Sequence, residues 1–376
     1  MQAVSTPTTH NTVQTQLVEA AGVVFAYRRF GRPAEPPLVM LQHFRGNLDN
    51  WDPALTDALA AEREVILVDY TGVGSSTGEP SSTIAEMARQ MIAIITALGL
   101  DRIDLLGFSI GGFVAQEIAL VRPTLVRRLI LAATGPKGAP GMHGWREEIA
   151  AAARGESKPE NLPYIMFAHT DTSQGKGMEF LGRFMERQER RDAPTSDAAR
   201  DAQYDAIVEW DIRDHAALQR LTGIQSPTLV IQGDDDLMIP TKLSHLMAGL
   251  IPDAQIRIYP DAAHGFLFQY PTEVAADVNA FLTPMTVDHE RRRRRHEPDR
   301  EQDLRSRARA CTRARDGRQG QAREGVRKLG QGHRSPQWRR AGAVARAAAE
   351  GKSDGNELRD ADVLPARVDS SGRQLL

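Results

Sequence analysis

Cysteine is nearly absent from this 376-residue chain: the one residue of that type, Cys311, lies close to the C-terminal end. An internal disulfide is therefore excluded, and so is a thiolate metal site anywhere in the first 310 residues. Long apolar runs are missing as well. None approaches the roughly 18 residues that a membrane span requires, and residues 1–16 are polar, without the apolar centre of a secretion signal. A soluble, cytoplasmic protein with no membrane partner is the expectation. Aromatic residues run out toward the end, where residues 291–376 contain Trp338 alone.

Charge is abundant but unevenly placed. The formal net charge of −2 conceals 23 Lys/Arg against 12 Asp/Glu over residues 291–376, a net +11, which leaves −13 for residues 1–290. Five consecutive arginines, Arg291 to Arg295, open the basic stretch. A segment so poor in apolar residues cannot bury enough surface to offset the entropy of ordering it. Residues 285–376 are therefore expected to be a disordered, Arg-rich tail. Basic runs also bind nucleic acid, and a nucleic-acid-binding arm is the rival function from a different class; outside this tail no nucleic-acid partner is expected.

The acidic body alternates strand and helix patterns. Residues 17–30 alternate apolar and polar positions around Ala21-Gly22 and predict a hairpin. Short apolar runs at 38–41, 64–68, 103–108, 126–131, 227–232 and 255–259 predict strands, most of them buried on both faces. Helical spacing over 47–62, 83–98, 112–121, 242–250 and 272–282 separates them. This order implies a mostly parallel sheet with helices on both faces. Residues 135–222 interrupt it with helical patterns at 145–153, 178–190 and 197–221. The reading is a flexible leader (1–14), an α/β core (15–134 and 223–284) and a helical cap (135–222) over the carboxyl ends of the strands, where ligands of such sheets sit.

Chemistry concentrates at those strand ends. Gly107-Phe108-Ser109-Ile110-Gly111 follows the strand at 103–108 and opens a helix, the context in which G-x-S-x-G places a serine on a tight turn. A serine hydroxyl is unreactive at neutral pH without a base and a group to orient that base. Among the histidines of the body, His264 stands out, because Pro260-Asp261-Ala262-Ala263-His264-Gly265 lies between a strand and the final helix. His10, His143, His169, His215 and His245 occupy a polar leader, cap helices or a core helix. An acid follows the strand at 227–232, in Gly233-Asp234-Asp235-Asp236. Three adjacent carboxylates do not converge on one ion without an unusual backbone, so no metal is assigned to them.

The order Ser109, Asp236, His264, together with Gly233-x-x-Asp236-x-x-x-Pro240 and Asp69-x-x-Gly72-x-Gly74-x-Ser76, resembles the α/β-hydrolase superfamily over residues 15–284. The resemblance implies an eight-stranded sheet, a cap, Ser109 as nucleophile, His264 as base and Asp236 as the orienting acid, with Asp234 and Asp235 as bystanders. It also implies an oxyanion hole formed by the backbone N–H groups of Phe44 and Ile110. One departure is visible: aligned on Gly46, Gln42 stands where the family has His, and His43 where it has Gly. Both oxyanion donors belong to the main chain, so the change need not abolish the hole. The role of His43 is open between bracing the loop and acting on substrate, and Arg45 between meeting an acidic substrate and an exposed ion pair.

Serine at 109 sets the chain apart from superfamily members that attack sp³ carbon with Asp. What remains is ester, lactone, thioester or amide hydrolysis, C–C hydrolysis of diketones or cofactor-free peroxide chemistry on the same triad; a small or medium apolar carboxylic ester or lactone, cleaved without a cofactor, is the expected substrate. The pocket is expected to be lined by His43, Tyr164, Phe167 and Phe180, with Met166, Met178, Leu181, Phe184 and Met185 as further apolar candidates.

Overall fold

The computed structural model describes residues 8–155 and 158–283. The Arg-rich tail and its possible nucleic-acid contacts lie outside the described residues. Among the described residues eight strands form one sheet in the order β1-β2-β4-β3-β5-β6-β7-β8. The hairpin β1 (Gln16–Ala20) and β2 (Val23–Gly31) is antiparallel and joins β4 (Glu64–Val68) antiparallel. The remaining strands, β3 (Leu38–Leu41), β5 (Ile103–Phe108), β6 (Val126–Ala132), β7 (Thr228–Gly233) and β8 (Ala254–Tyr259), run parallel with β4. Every residue of β3, β5 and β7 is buried, as expected of strands covered on both faces.

The helices follow their local chemistry. The helix anticipated over 47–62 starts later. Asn47 caps a single 3-10 turn, Leu48–Asn50, and Asp52 then accepts the Ala54 N–H at the start of α1 (Pro53–Ala60). Proline is suited to that first position, where its missing N–H costs nothing. α2 (Ile84–Ala97) is capped by Thr83, and α3 (Ile110–Val121) begins directly after Ser109.

Between β6 and β7 lie α4 (Glu147–Arg154), α5 (Leu162–Met166), α6 (Asp171–Phe184), α7 (Asp197–Asp211) and α8 (His215–Gln219). Two of the anticipated boundaries shift. α6 starts at the Thr170 cap, well before residue 178. Its Gly175 and Gly177 weaken the helical pattern in sequence, but at Gly177 a Cβ would come within 3.1 Å of Pro163 and Phe167, so the glycine lets α5 and α6 approach. The single helix anticipated over 197–221 divides because Asp214 accepts the N–H groups of Ala216 and Ala217 and starts a new helix. α9 (Lys242–Leu250), α10 (Phe266–Gln269) and α11 (Pro271–Leu282) complete the fold. No helix among the described residues is long and apolar enough to cross a membrane.

The leader departs from expectation where it is described. His10 and Val13 are buried. The His10 N–H donates to Asp57 Oδ1 at 2.7 Å, its ring meets Thr56 Oγ1 at 3.1 Å, and Arg187 binds the His10 and Val13 carbonyls. Burial, reinforced by the Arg28 guanidinium, pushes the imidazole pKa down to about 3, so the ring is neutral. Polarity of the segment concealed this, because what anchors it are hydrogen bonds to distant residues rather than an apolar stripe.

Candidate active site

The serine stands where strand becomes helix. Ser109 has φ 58° and ψ −122°, a region that side chains avoid and that costs of order 1–3 kcal/mol. Its surroundings hold the strain: the Ser109 N–H donates to Ala132 O at 2.9 Å, and the Ser109 carbonyl accepts from Thr134 Oγ1 and the Gly112 N–H, both at 2.8 Å. The flanking glycines are set by close approach. A Cβ at Gly107 would lie 2.3 Å from Gly111 O, and one at Gly111 would lie 2.3 Å from Leu41 O.

His264 reaches the serine from the loop after β8. Its Nε2 is 2.9 Å from Ser109 Oγ, and its Nδ1 is 2.8 Å from Asp236 Oδ2. An ionised carboxylate only accepts, so the Nδ1 carries the proton and Nε2 is left to accept from the serine hydroxyl. The other carboxylate oxygen, Asp236 Oδ1, accepts the N–H groups of Met238 at 2.8 Å and Ile239 at 2.9 Å, which fixes the acid. The side chains of His264 and Asp236 are buried. Asp234 instead accepts the Ala262 N–H, and both Asp234 and Asp235 are exposed. Gly233 completes the arrangement: a Cβ there would lie 2.2 Å from Ala262 O, so only glycine lets the His264 loop cross the end of β7.

The loop after β3 closes the other side. Leu41 pairs with Gly107 in the parallel register, which brings residues 42–46 beside the serine turn. Gln42 braces this loop, accepting the His43 N–H at 2.9 Å and donating to Asn47 O at 3.3 Å. Neither the Phe44 N–H nor the Ile110 N–H meets an acceptor among the described residues. Two main-chain donors beside a serine can stabilise an oxyanion, and Ile110 heads α3, where the helix dipole adds positive potential.

A partly open cavity is lined by Ser109, His264, His43, Phe44, Arg45, Asn50 and Met238 from the core, and by Ala152, Ala153, Lys158, Asn161, Leu162, Ile165 and Met166 from the region between β6 and β7. Of the anticipated pocket residues the structure brings His43 and Met166 to this cavity, and not Tyr164, Phe167, Phe180, Met178, Leu181, Phe184 or Met185. Tyr164 is exposed and stacks on His169 at 4.5 Å. Phe167 and Phe180 are buried away from it, Phe180 stacking on Phe268 at 4.6 Å. They fasten the inserted helices to the core. Leu162 and Ile165, also on α5, join Met166 there. The spacing of three and four residues places the three on one face of α5. Arg45 binds main-chain carbonyls: its NH1 donates to Ala153 O at 2.9 Å and Gly155 O at 2.8 Å.

The Asp69 motif is architectural. A Cβ at Gly74 would lie 2.2 Å from Asp69 Oδ2, and Ser76 Oγ accepts the Ala26 N–H at 2.9 Å, closing the loop onto β2. Burial, and then the neighbouring Asp192 charge, raises the Asp69 carboxyl well above the usual carboxylate range.

Comparison with known proteins agrees with this architecture. The family model for the alpha/beta hydrolase fold matches residues 36–271. The acetyltransferase component of an acetoin cleaving system from Pseudomonas putida is 30% identical over 273 residues, covering 71% of this chain and 69% of that protein. A poly(3-hydroxyalkanoate) depolymerase from Ectopseudomonas oleovorans is 30% identical over 257 residues, covering 68% and 87%. An alpha/beta hydrolase fold protein from Chitinophaga pinensis superimposes with a TM-score of 0.70 at 38% identity, covering 73% of this chain and 99% of that one. The chain belongs to the α/β-hydrolase fold family. The names of these relatives span different reactions, so the particular reaction must be argued from the site.

Proposed function

We propose that this chain is a serine hydrolase that cleaves a small or medium carboxylic ester or lactone through an acyl-enzyme. The observation that carries the reading is the continuous hydrogen-bonded line from Ser109 Oγ through His264 to Asp236, with separations of 2.9 and 2.8 Å. Ser109 Oγ attacks the carbonyl carbon as His264 Nε2 takes its proton, and Asp236 stabilises the imidazolium and holds its tautomer. The Phe44 and Ile110 N–H groups receive the oxyanion, at roughly 3 kcal/mol for one such donor. Collapse expels the alcohol, which takes the proton from His264. Water then attacks the acyl carbon with His264 again as base, and the carboxylic acid leaves with Ser109 restored.

The helices between β6 and β7 act as the cap, and its apolar α5 wall favours apolar acyl groups. Diketone C–C cleavage and peroxide chemistry draw on the same three side chains and would appear in the same substrate panel. The test is turnover of p-nitrophenyl butyrate by the full chain and by Ser109→Ala. A fall of about 10⁴-fold or more is expected, with bound substrate still detectable; undiminished turnover in Ser109→Ala sinks the reading.

A further inference from the structure

The residue that replaces a family glycine carries an unused hydrogen-bond acceptor. His43 Nδ1 lies 2.8 Å from the carbonyl oxygen of Phe44, which can only accept, so the proton sits on Nδ1 and the Nε2 lone pair is free to accept. That Nε2 has no partner among the described residues, and it is absent from the polar atoms that are sealed within the protein unpaired. The ring forms part of the wall of the cavity beside Ser109 and His264. Phe108 holds it edge-on at 5.3 Å and also contacts the His264 ring at 5.2 Å.

Bracing the loop does not account for this arrangement. Gln42 already ties residues 42–47 together, and the ring's contribution to the loop ends at Nδ1. General-base chemistry is also disfavoured. Burial pushes the His43 pKa down to about 4, with His264 contributing in the same direction, so the ring is a weak base and stays neutral near pH 7. Its neighbours on the cavity wall are mainly donors. Arg45 and Lys158 can only donate, the Asn50 Oδ1 already accepts the Asn47 N–H, and no Asp or Glu among the described residues lines the cavity.

The geometry points to His43 as a specificity-determining residue whose Nε2 accepts a hydrogen bond from an O–H or N–H group carried by the substrate near the scissile carbonyl. This rests on the serine hydrolase reading for the identity of that carbonyl, because His43 immediately precedes Phe44, one of the two oxyanion donors. An acyl chain lacking a donor displaces water from Nε2 and leaves it unpaired, whereas a chain with a suitably placed hydroxyl or amide N–H replaces the water bond. The enzyme thus selects hydroxylated or N-acylamino acyl esters over plain fatty acyl esters of equal length.

The test compares three methyl esters of matched length: octanoate, 3-hydroxyoctanoate and N-pentanoylglycine. The last two separate a hydroxyl from an amide donor. kcat/KM of the full chain is expected to be about tenfold higher for at least one donor-bearing ester than for octanoate, the scale of one neutral hydrogen bond. His43→Leu should bring that ratio to about one, and His43→Gln, which keeps an amide able to donate to Phe44 O and accept from substrate, should retain part of it. Circular dichroism and thermal melts check that each variant folds. Dissociation constants of the same esters with Ser109→Ala give the ratio without turnover. If no ester is hydrolysed, the serine hydrolase reading falls while these binding ratios still decide the role of His43. A ratio near one in the parent protein for both donors, or one unchanged in His43→Leu and His43→Gln, overturns the inference and leaves the hydrolase reading standing.

Discussion

The strand ends that carry Ser109, His264 and Asp236 are held by backbone, while the helices between β6 and β7 are held mostly by side chains, with a main-chain bond from the Gly265 N–H to Met166 O at 2.5 Å. At the strand ends the positions are set by atoms with almost no freedom: Gly111 against Leu41 O, Gly233 against Ala262 O, and Asp236 on two successive N–H groups. The helices dock instead through rings and long side chains. Phe180 stacks on Phe268, Trp210 stacks on Phe113 at 5.2 Å, and Arg183 grips Asp52 at 2.6 Å. Backbone constraints of the first kind admit few residue types, whereas packing of the second kind can be met by many combinations. A reaction can therefore stay fixed while the cavity above it is reshaped.

The comparison breaks first if the wrong acid has been assigned. Asp236→Asn should lower kcat on p-nitrophenyl butyrate by about 10⁴-fold, because the amide no longer holds the productive tautomer. Asp234→Asn and Asp235→Asn should stay within about twofold of the parent. Steady-state kinetics on the three variants check this, and a reversed ranking would remove Asp236 from the mechanism.

The inserted helices should fail differently. Phe180→Ala should cost about 3–5 kcal/mol of stability, read as a drop in the urea midpoint, because it empties the buried contact with Phe268. The relative kcat/KM across acyl chain lengths should not move, since Phe180 does not line the cavity. A changed chain-length profile at unchanged stability would return Phe180 to the pocket.

How much of this was legible beforehand follows from the same division. Gly107, Ser109, Gly111, Gly233, Asp236 and His264 could be read because each occupies a strand end where geometry restricts the residue type, and the strands at 38–41, 103–108 and 126–131 carry unbroken apolar runs. The wall formed by Leu162, Ile165 and Met166 could not be separated from Phe167 and Phe180, because apolar composition does not reveal whether a side chain faces a cavity or another helix. The burial of His10 was invisible for a different reason: its partners Thr56, Asp57 and Arg187 are remote in sequence.

His10 makes that last point measurable. Its pKa is about 3 in the folded chain against roughly 6.5 when unfolded. Between these values the unfolded state binds a proton that the folded state refuses, so stability falls as pH drops from about 6.5 toward 3 and is unaffected by this group above 6.5. The loss should reach a few kcal/mol at the acid end. His10→Asn should flatten the slope of urea stability against pH in that window, and an unchanged slope would place the acid sensitivity elsewhere.

The smallest effect tests the comparison most directly. Ile165 lies on the cavity wall and is nearly buried, yet no hydrogen bond of the triad depends on it. Ile165→Ala removes apolar volume where an acyl chain would lie, and pocket changes of a few methylenes are worth about 1–3 kcal/mol in discrimination. Relative to p-nitrophenyl acetate, kcat/KM for p-nitrophenyl octanoate should shift by about tenfold, while kcat on acetate holds within about twofold. The division of labour predicts that split, because the acetyl group brings no chain to α5 but engages Ser109, His264 and the Phe44 and Ile110 N–H groups in full. Equal changes in both substrates would mean that α5 positions the triad as well as the chain, and that the two regions are not independent.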